Sequence, residues 1–281
     1  MIPWIVLRSR NDAEHIGETL RMLARQTHAF KLLSLDNGST DGTREQVAAV
    51  ADRVIDIAEG TYVPGRVLNL GMRETTGDVV VFLNADCTPD DERWLERLLE
   101  GVTDARVGAA FGRQRPRPDC VALLAKDTED TFGDGTAQAA WRHCFSMASS
   151  VVRRAAWEES GFDESLQYSE DIDWTWRARQ RGWRIAYVAA ASAQHSHNYT
   201  LRQSWKRHFG EGRAEARIFP WSTWERSWPR YVLLPLARRI VHDWRYSVAR
   251  RDWRSACYSP LLRGAQMFGR WQGFRAGLRP A

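Results

Sequence analysis

Residues 79–91 read VVVFLNADCTPDD. Val79 to Leu83 form an unbroken apolar run, and the chain then turns polar within one step, presenting Asn84, Asp86, Asp90 and Asp91. A short apolar run that stops this abruptly is the pattern of a strand buried on both faces. Strands of that kind sit inside parallel sheets, and parallel neighbours need long crossover connections, usually helices. The segment thus restricts the chain to an α/β fold if the flanking sequence alternates accordingly.

It does. Trp4 to Leu7 reads as a buried strand, and Asn11 with Glu14 three residues on reads as a helix N-cap and its capping-box partner. Ile16, Leu20 and Leu23 follow at helical spacing. Leu32 to Leu35 is a second strand ending at Asp36, and Asn37 to Gly42 is dense turn chemistry. Thr43 to Val50 reads as helix, Arg53 to Ile57 as a third strand and Asn69 to Thr75 as a short helix before VVVFL. Further strands are expected at Val107 to Phe111 and Ile185 to Ala191, and a helix from about Trp94 with Asp90 and Asp91 as its caps. The expected architecture is a mainly parallel sheet with helices on both faces. Ligands of such sheets bind beyond the carboxyl ends of the strands. Arg8-Ser9, Asp36 and Asn84-Ala85-Asp86 each follow a strand directly and should converge on one rim.

The rim carries carboxylates where other nucleotide-binding sheets carry glycines. No GxGxxG follows the first strand, and neither a GxxxxGK[ST] loop nor a GxSxG elbow occurs anywhere. Carboxylates facing a phosphate imply a cation between them, and Mg²⁺ commonly bridges one or two carboxylates to substrate phosphates.

The four cysteines are far apart with no CxxC pair, which argues against a disulfide framework or zinc ribbon and for a reducing compartment. Arg8 and Arg10 cut the first apolar stretch too short for a signal peptide, and no later run approaches the ~18 residues of a spanning helix. The chain is therefore expected in the cytoplasm, not across a membrane. Charge is divided unevenly. Residues 201–281 hold 17 Arg or Lys against 5 Asp or Glu, a balance of +12, while residues 1–200 hold 23 against 30, a balance of −7.

The ordered motifs resemble a known family. They are RSRNDAEHIGETL after the first strand, DNGSTDGT after the second, then RVLNLG, FLNAD, WEESGFDESLQYSEDIDWTWRARQRGW and QHSHNYT. The set is similar to family 2 glycosyltransferases with the GT-A (Rossmann-like) fold, and among them to the bacterial rhamnosyltransferase-like group, over roughly residues 3–210. The resemblance implies a nucleotide-sugar-binding and catalytic domain over 1–200, followed by a basic, Trp-rich helical region over 201–281.

It also implies roles for individual residues. Asp36 matches the acid that holds the nucleoside, and Asn84-Ala85-Asp86 matches the Asp-x-Asp motif whose last carboxylate ligates a Mg or Mn cation. Glu170-Asp171 matches the family's Glu-Asp pair, with Asp171 as general base and Glu170 orienting hydroxyls, and His195 matches a histidine that completes the metal site. Arg8 and Ser9 are further candidates for the donor. Beside the resemblance, Arg66 and Asn69 read as contacts to its diphosphate or sugar, with a solvated loop arginine an equal reading of Arg66, and Gly112-Arg113-Gln114 reads as lining the sugar or acceptor side. Asn84 departs from the family's Asp, so Asp86 must carry more of the metal binding. Asp12, where many relatives have Glu, is expected only to tune a helix start.

The reaction implied is inverting transfer from a nucleoside diphosphate sugar, dTDP- or UDP-linked, to a hydroxyl of a glycan or lipid-linked glycan in bacterial surface polysaccharide assembly. A carboxylate within reach of that hydroxyl accelerates the attack by removing its proton. Ser169 is expected to N-cap the helix that carries the base, and Arg115 and Arg117 to form a surface loop that guides an anionic acceptor. Trp174 reads either as core or as an aromatic face for the acceptor. The rival is a catalytically silent nucleotide-sugar-binding or scaffold protein on the same fold, kept open by Asn84.

Beyond Pro220 come Trp221, Trp224 and Trp228, and then Val232, Leu236, Ile240, Trp244 and Val248 at every fourth position with arginines beside them. An apolar stripe with a basic flank fits peripheral contact with the inner face of the cytoplasmic membrane; packing on the body or in a homodimer fits equally well. Nucleic acid is not expected, since no helix-turn-helix, zinc-finger or RNP1 pattern accompanies the charge.

Overall fold

The computed structural model describes residues 2–136, 143–222 and 225–278, so Trp224 lies outside the described residues. The chain forms two compact units, one of Met1–Asp119, Asp127–Leu166 and Glu170–Ser196, the other of Cys120–Lys126, Gln167–Ser169 and His197–Ala281.

The first unit is built on one eight-stranded sheet. Its strands are β1 (Trp4–Ser9), β2 (Lys31–Asp36), β3 (Arg53–Asp56), β4 (Val79–Asn84), β5 (Thr88–Pro89), β6 (Val107–Arg115), β7 (Ser149–Arg153) and β8 (Arg184–Gln194), in the order β3-β2-β1-β4-β7-β6-β8-β5. β1 pairs in parallel with β2 and β4, β2 with β3, and β6 with β8, while β7 runs antiparallel between β4 and β6. The helices are α1 (Ala13–Leu23), α2 (Thr43–Ala48), α3 (Pro64–Glu74), α4 (Trp94–Glu100), α5 (Ala122–Thr131), α6 (Arg154–Glu159) and α7 (Glu170–Gln180), α5 passing from the second unit into the first.

β4 explains the opening motif. Val81 and Leu83 enter one core with Ile16 and Leu23 of α1 and Trp94, Leu95 and Leu98 of α4. Val80 and Phe82 enter the other with Val67, Leu68 and Met72 of α3 and Trp174 of α7. Alternate side chains of a strand point to opposite faces, so a strand covered on both has no position left for a polar residue. Gly71 lets α3 lie directly on the sheet, because a Cβ there would come within 2.9 Å of Val6 Cγ1. Gly42 takes φ +92 just before α2, a conformation that costs glycine nothing.

Several boundaries differ from the expectation. Asn11 is not the N-cap: it adopts φ +56, a left-handed conformation that Asn tolerates, and its Oδ1 accepts from Thr40 N at 2.8 Å. α1 starts at Ala13 with Asp12 at the cap position. α3 begins at Pro64, well before Asn69, since proline fits the first turn of a helix. Asp91 Oδ1 does receive Arg93 N at 2.9 Å ahead of α4, whereas Asp90 is held by Arg115 at 2.7 Å.

The second unit contains α8 (Leu201–Ile218), a π-helical turn (Pro229–Leu233), α9 (Leu234–Ala249) and α10 (Trp253–Gly277). Thr200 and Gln203 form a full capping box on α8, and Asp252 caps α10 through Ser255 N. α8 and α10 touch backbone to backbone. A Cβ on Gly269, Gly273 or Gly277 would collide with the carbonyl oxygen of Trp205, Phe209 or Arg213, each four residues from the next. Small residues at that spacing are what permit such close approach of two helices. A small apolar core of Tyr231, Val232, Met267 and Phe274 lies beside them.

The expected stripe on α9 does not hold as one face. Positions four apart drift about 40° per step around a helix. Val232 accordingly faces the core, while Trp244 and Val248 are exposed. No helix among the described residues is long and apolar enough to cross a membrane.

Candidate active site

The parallel register places the strand ends side by side. Arg8 of β1 lies opposite Leu35 on β2 and Asn84 on β4, and Ser9 lies opposite Asp36. The rim inferred from the sequence is therefore a real juxtaposition.

Asp36 is fully buried and accepts three hydrogen bonds, from Ser9 Oγ at 2.8 Å, Ser39 N at 2.8 Å and Ser39 Oγ at 2.7 Å. It ties the turn after β2 to the end of β1. Ser9 contributes its hydroxyl to the same tie. Arg8 Nη2 donates to Asn84 Oδ1 at 2.6 Å and, more weakly, to Met147 O at 3.5 Å. Its Nε is buried and makes no hydrogen bond. Ala85 is wholly buried, with its N–H on Arg8 O at 2.9 Å, so its side chain meets only core.

Asp171 lies in the first turn of α7. Its carboxylate accepts from Ile172 N at 2.8 Å and from Met147 N at 3.3 Å. Burial pushes this carboxyl above the usual range, against the two N–H donors and the nearby Arg8 charge. A carboxyl shifted upward takes a proton more readily, as a general base requires. Met147 connects the parts: its carbonyl faces Arg8 and its N–H faces Asp171. Glu170 beside it is buried. Ser169 takes φ +60, which is not the extended backbone of a capping serine.

His195 Nε2 faces Asp86 Oδ1 at 3.6 Å, and both side chains are mostly buried. The other ring nitrogen, Nδ1, is 2.7 Å from Gln114 Oε1, and Gln114 Nε2 donates to Ser146 Oγ at 2.7 Å. A histidine held through one nitrogen so that the other points at a carboxylate is how metal-ligating histidines are oriented. One oxygen and one imidazole nitrogen suit a divalent cation such as Mg²⁺ or Mn²⁺, so these residues fit the implied metal. His197 belongs to the second unit, where its ring lies against Tyr199.

Two expectations are corrected and one alternative is decided. Asn69 is buried and its amide is saturated: Nδ2 donates to Phe162 O and Glu164 Oε1, and Oδ1 accepts from Trp157 Nε1 and Phe162 N. No atom remains for a diphosphate or sugar. Arg115 and Arg117 do not wave from a surface loop. Arg115 pairs with Asp90, while Arg117 donates to Asp86 O and lies 3.1 Å from His15 Nδ1. Trp174 is fully buried with its indole N–H on Ser160 O at 2.6 Å, so it is core. Arg66 is half-exposed and lies 3.5 Å from Glu164.

Asp12 sits at the start of α1 as expected, and its carboxyl is also perturbed. Burial raises its carboxyl to about 6, opposed by the Arg10 N–H and reinforced by the charges of Asp86, Asp41 and Asp36. The available signal was that Asp12, Asp36 and Asp86 all follow consecutive parallel strands. Arg117 and Gln114, expected on the acceptor or sugar side, reach Asp86 and His195 instead, contacts that their own sequence neighbourhood does not announce.

A family model for glycosyl transferase family 2 matches residues 4–158. The chain is 31% identical over 208 residues to the O-antigen chain rhamnosyltransferase WbaN of Salmonella anatum, covering 70% of this chain and 66% of that protein. It is 29% identical over 230 residues to the O-antigen chain rhamnosyltransferase RfbN of Salmonella typhimurium, covering 77% and 73%. Among solved structures, the mannosyltransferase PcManGT from Pyrobaculum calidifontis in complex with GDP-Man and Mn²⁺ superposes with a TM-score of 0.69 at 16% identity, over 99% of this chain and 88% of that one. At that identity the likeness speaks for the fold.

Proposed function

The chain belongs to glycosyl transferase family 2, and on that premise we propose that it moves a sugar from a nucleoside diphosphate sugar to a hydroxyl of a glycan or lipid-linked glycan, with inversion. The relatives named for O-antigen rhamnosyl transfer favour a dTDP-sugar donor, with a UDP-sugar next, and a role in bacterial surface polysaccharide assembly. The setting that follows is the cytoplasm, at the inner face of its membrane.

One observation carries the reading. The hydrogen-bonded series Asn84–Arg8–Met147–Asp171 joins the ends of β4 and β1 to the start of α7, bringing a cationic side chain and a proton-accepting carboxylate to one rim. The acceptor oxygen forms the new bond to the anomeric carbon as the bond from that carbon to the diphosphate oxygen breaks. The acceptor's proton passes to Asp171, and the nucleoside diphosphate leaves. No protein nucleophile is needed. Arg8 offers positive charge to the diphosphate, and Asp36 and Ser9 hold the turn that borders the nucleoside. Asp86 and His195 would hold the cation. A divalent cation bound there neutralises charge developing on the leaving diphosphate as a Lewis acid.

The silent-scaffold alternative rests on Asn84, whose oxygen is occupied by Arg8. Incubation with dTDP- and UDP-sugars and Mn²⁺ or Mg²⁺ separates the two. Nucleoside diphosphate released faster in the presence of a rhamnose-containing glycan acceptor supports transfer. Donor binding by calorimetry without turnover, acceptors supplied, favours the scaffold.

A further inference from the structure

α9 and the N-terminal half of α10 bury mainly polar side chains. Helices of a protein surrounded by water bury apolar residues and expose polar ones. Here the buried positions of α9 are Asp243 and Ser247, and those of the first half of α10 are Ser255, Ser259, Leu262, Arg263 and Gln266, while Met267 and Phe274 further along enter the small apolar core. Asp243 and Arg263 are both wholly buried and meet in a two-pronged ion pair at 2.7 and 2.9 Å, with Ser259 Oγ at 2.5 Å and Lys126 Nζ at 3.2 Å completing the cluster.

Large apolar side chains gather among the exposed positions. Leu234, Val241, Trp244 and Val248 line one side of α9, and Trp253, Leu261 and Phe268 line one side of α10, with Trp253 63% and Leu261 60% exposed. The two rows meet, because Trp244 Nε1 donates to Ala256 O across the hairpin at 3.0 Å. An exposed apolar patch over a polar interior marks a surface that meets something other than water.

Charge says what it meets. Residues 229–278 hold ten arginines and only two aspartates. One aspartate is buried with Arg263, and the other caps α10. Arg238, Arg245, Arg250 and Arg254 are exposed around the apolar rows. A second copy would set these arginines against their own kind. A bilayer of anionic phospholipid offers both apolar depth and compensating charge.

We propose that the α9–α10 hairpin lies in the surface of an anionic phospholipid bilayer, with Trp244, Val248, Trp253 and Leu261 entering the headgroup boundary and the flanking arginines at the phosphates. The inference deepens the reading of a membrane-side acceptor and is tested separately from it. The full chain is co-sedimented with vesicles of phosphatidylglycerol and phosphatidylethanolamine, and with vesicles of phosphatidylcholine alone. Pelleting is expected with the first and to be at least tenfold weaker with the second. Leu261→Glu and Val248→Glu, at exposed positions that make no hydrogen bond through their side chains, should each weaken binding to anionic vesicles about tenfold with unchanged circular dichroism. Failure of the wild type to pellet, or equal pelleting by the variants, overturns the proposal. So does a dimer in light scattering that these variants dissociate. Donor affinity measured by calorimetry in the same samples reports on the transferase reading independently, since it does not require the hairpin.

Discussion

Arg8 donates to Asn84 Oδ1 at 2.6 Å, so the guanidinium that ends β1 is held by the amide that ends β4. An aspartate at position 84 would hold it too, but would cancel its charge. The neutral amide orients the cation and leaves its charge for the diphosphate. Asn84→Asp should therefore weaken donor binding by about tenfold, although it restores the family's usual residue. Arg8→Met, which removes a charged hydrogen-bond donor, should cost about 10- to 100-fold. Titration calorimetry with the nucleotide sugar and Mn²⁺ reads both, and tighter binding by the Asn84→Asp variant would refute this account.

Asp171 pays for its function in stability. Burial raises its carboxyl above the ordinary range, so the folded state holds this proton more firmly than the unfolded chain. The contribution to stability is full at pH below the unfolded carboxylate value and is lost as pH rises through the raised folded value. Transfer should consequently rise with pH along a limb displaced above the ordinary carboxylate range. Asp171→Asn should abolish transfer and leave donor affinity nearly unchanged. Its melting temperature should match the wild type at acid pH and exceed it once the pH has risen through the raised value, where the wild type carries a buried charge. Normal turnover by the variant would exclude Asp171 as the base.

Asp86 and Gln114 test the cation site in two different ways. Asp86→Ala removes the proposed ligand and should abolish the dependence of donor affinity on Mn²⁺. Gln114→Leu leaves Asp86 and His195 in place but frees the imidazole that Gln114 Oε1 fixes at 2.7 Å. Loss of such a partner typically costs 10- to 100-fold in metal affinity. Manganese binding followed by electron paramagnetic resonance checks both variants without relying on activity. Unchanged affinity in Gln114→Leu would reduce that residue to packing.

The parallel half of the sheet was legible because each strand is a short apolar run with a turn behind it, and because the sequence-adjacent strands β1, β2 and β3 pair in parallel. The rim residues followed from that alone. Asn69 was misread because an asparagine at an expected helix start looks the same whether its amide faces solvent or is saturated inside. The contacts of Arg117 with Asp86 and of Gln114 with His195 escaped because β6 and β8 pair in parallel only over a long crossover. The helical hairpin was half legible. Its apolar residues and arginines were visible, but a spacing of four did not tell which side of α9 faces in. The buried Asp243–Arg263 pair decides that, and no local pattern announces it.

The glycines of α10 predict a steep steric response. A side chain on Gly273 would strike the carbonyl of Phe209, a backbone atom that cannot swing away. Gly273→Leu should therefore push α8 and α10 apart and lower stability by about 3 kcal/mol or more. Gly264, also on α10 but with open space at its Cβ position, is the control. Gly264→Ala should be neutral or slightly stabilising, since alanine favours a helix over glycine by about 1 kcal/mol. Thermal unfolding distinguishes the pair, and equal effects at the two positions would mean that helix propensity, not close packing, governs α10.

Asp243 gives the helical unit its sensitivity to acid. Burial would raise its carboxyl, but the bonds from Arg263 and Ser259 and the charges of Arg263 and Lys126 win and hold it below the ordinary range. A depressed carboxyl contributes stability that is present above the unfolded carboxylate value and is lost as pH falls through the folded one. Asp243→Asn keeps the shape but leaves Arg263 and Lys126 as buried cations with no counter-charge at that position. Breaking a buried pair in this way typically costs about 3–5 kcal/mol. Urea unfolding followed by circular dichroism should show that loss at neutral pH, and the gap between variant and wild type should close at a pH low enough to protonate Asp243. A variant as stable as the wild type at neutral pH would show that water reaches the pair, and that the polar interior of the hairpin is not sealed.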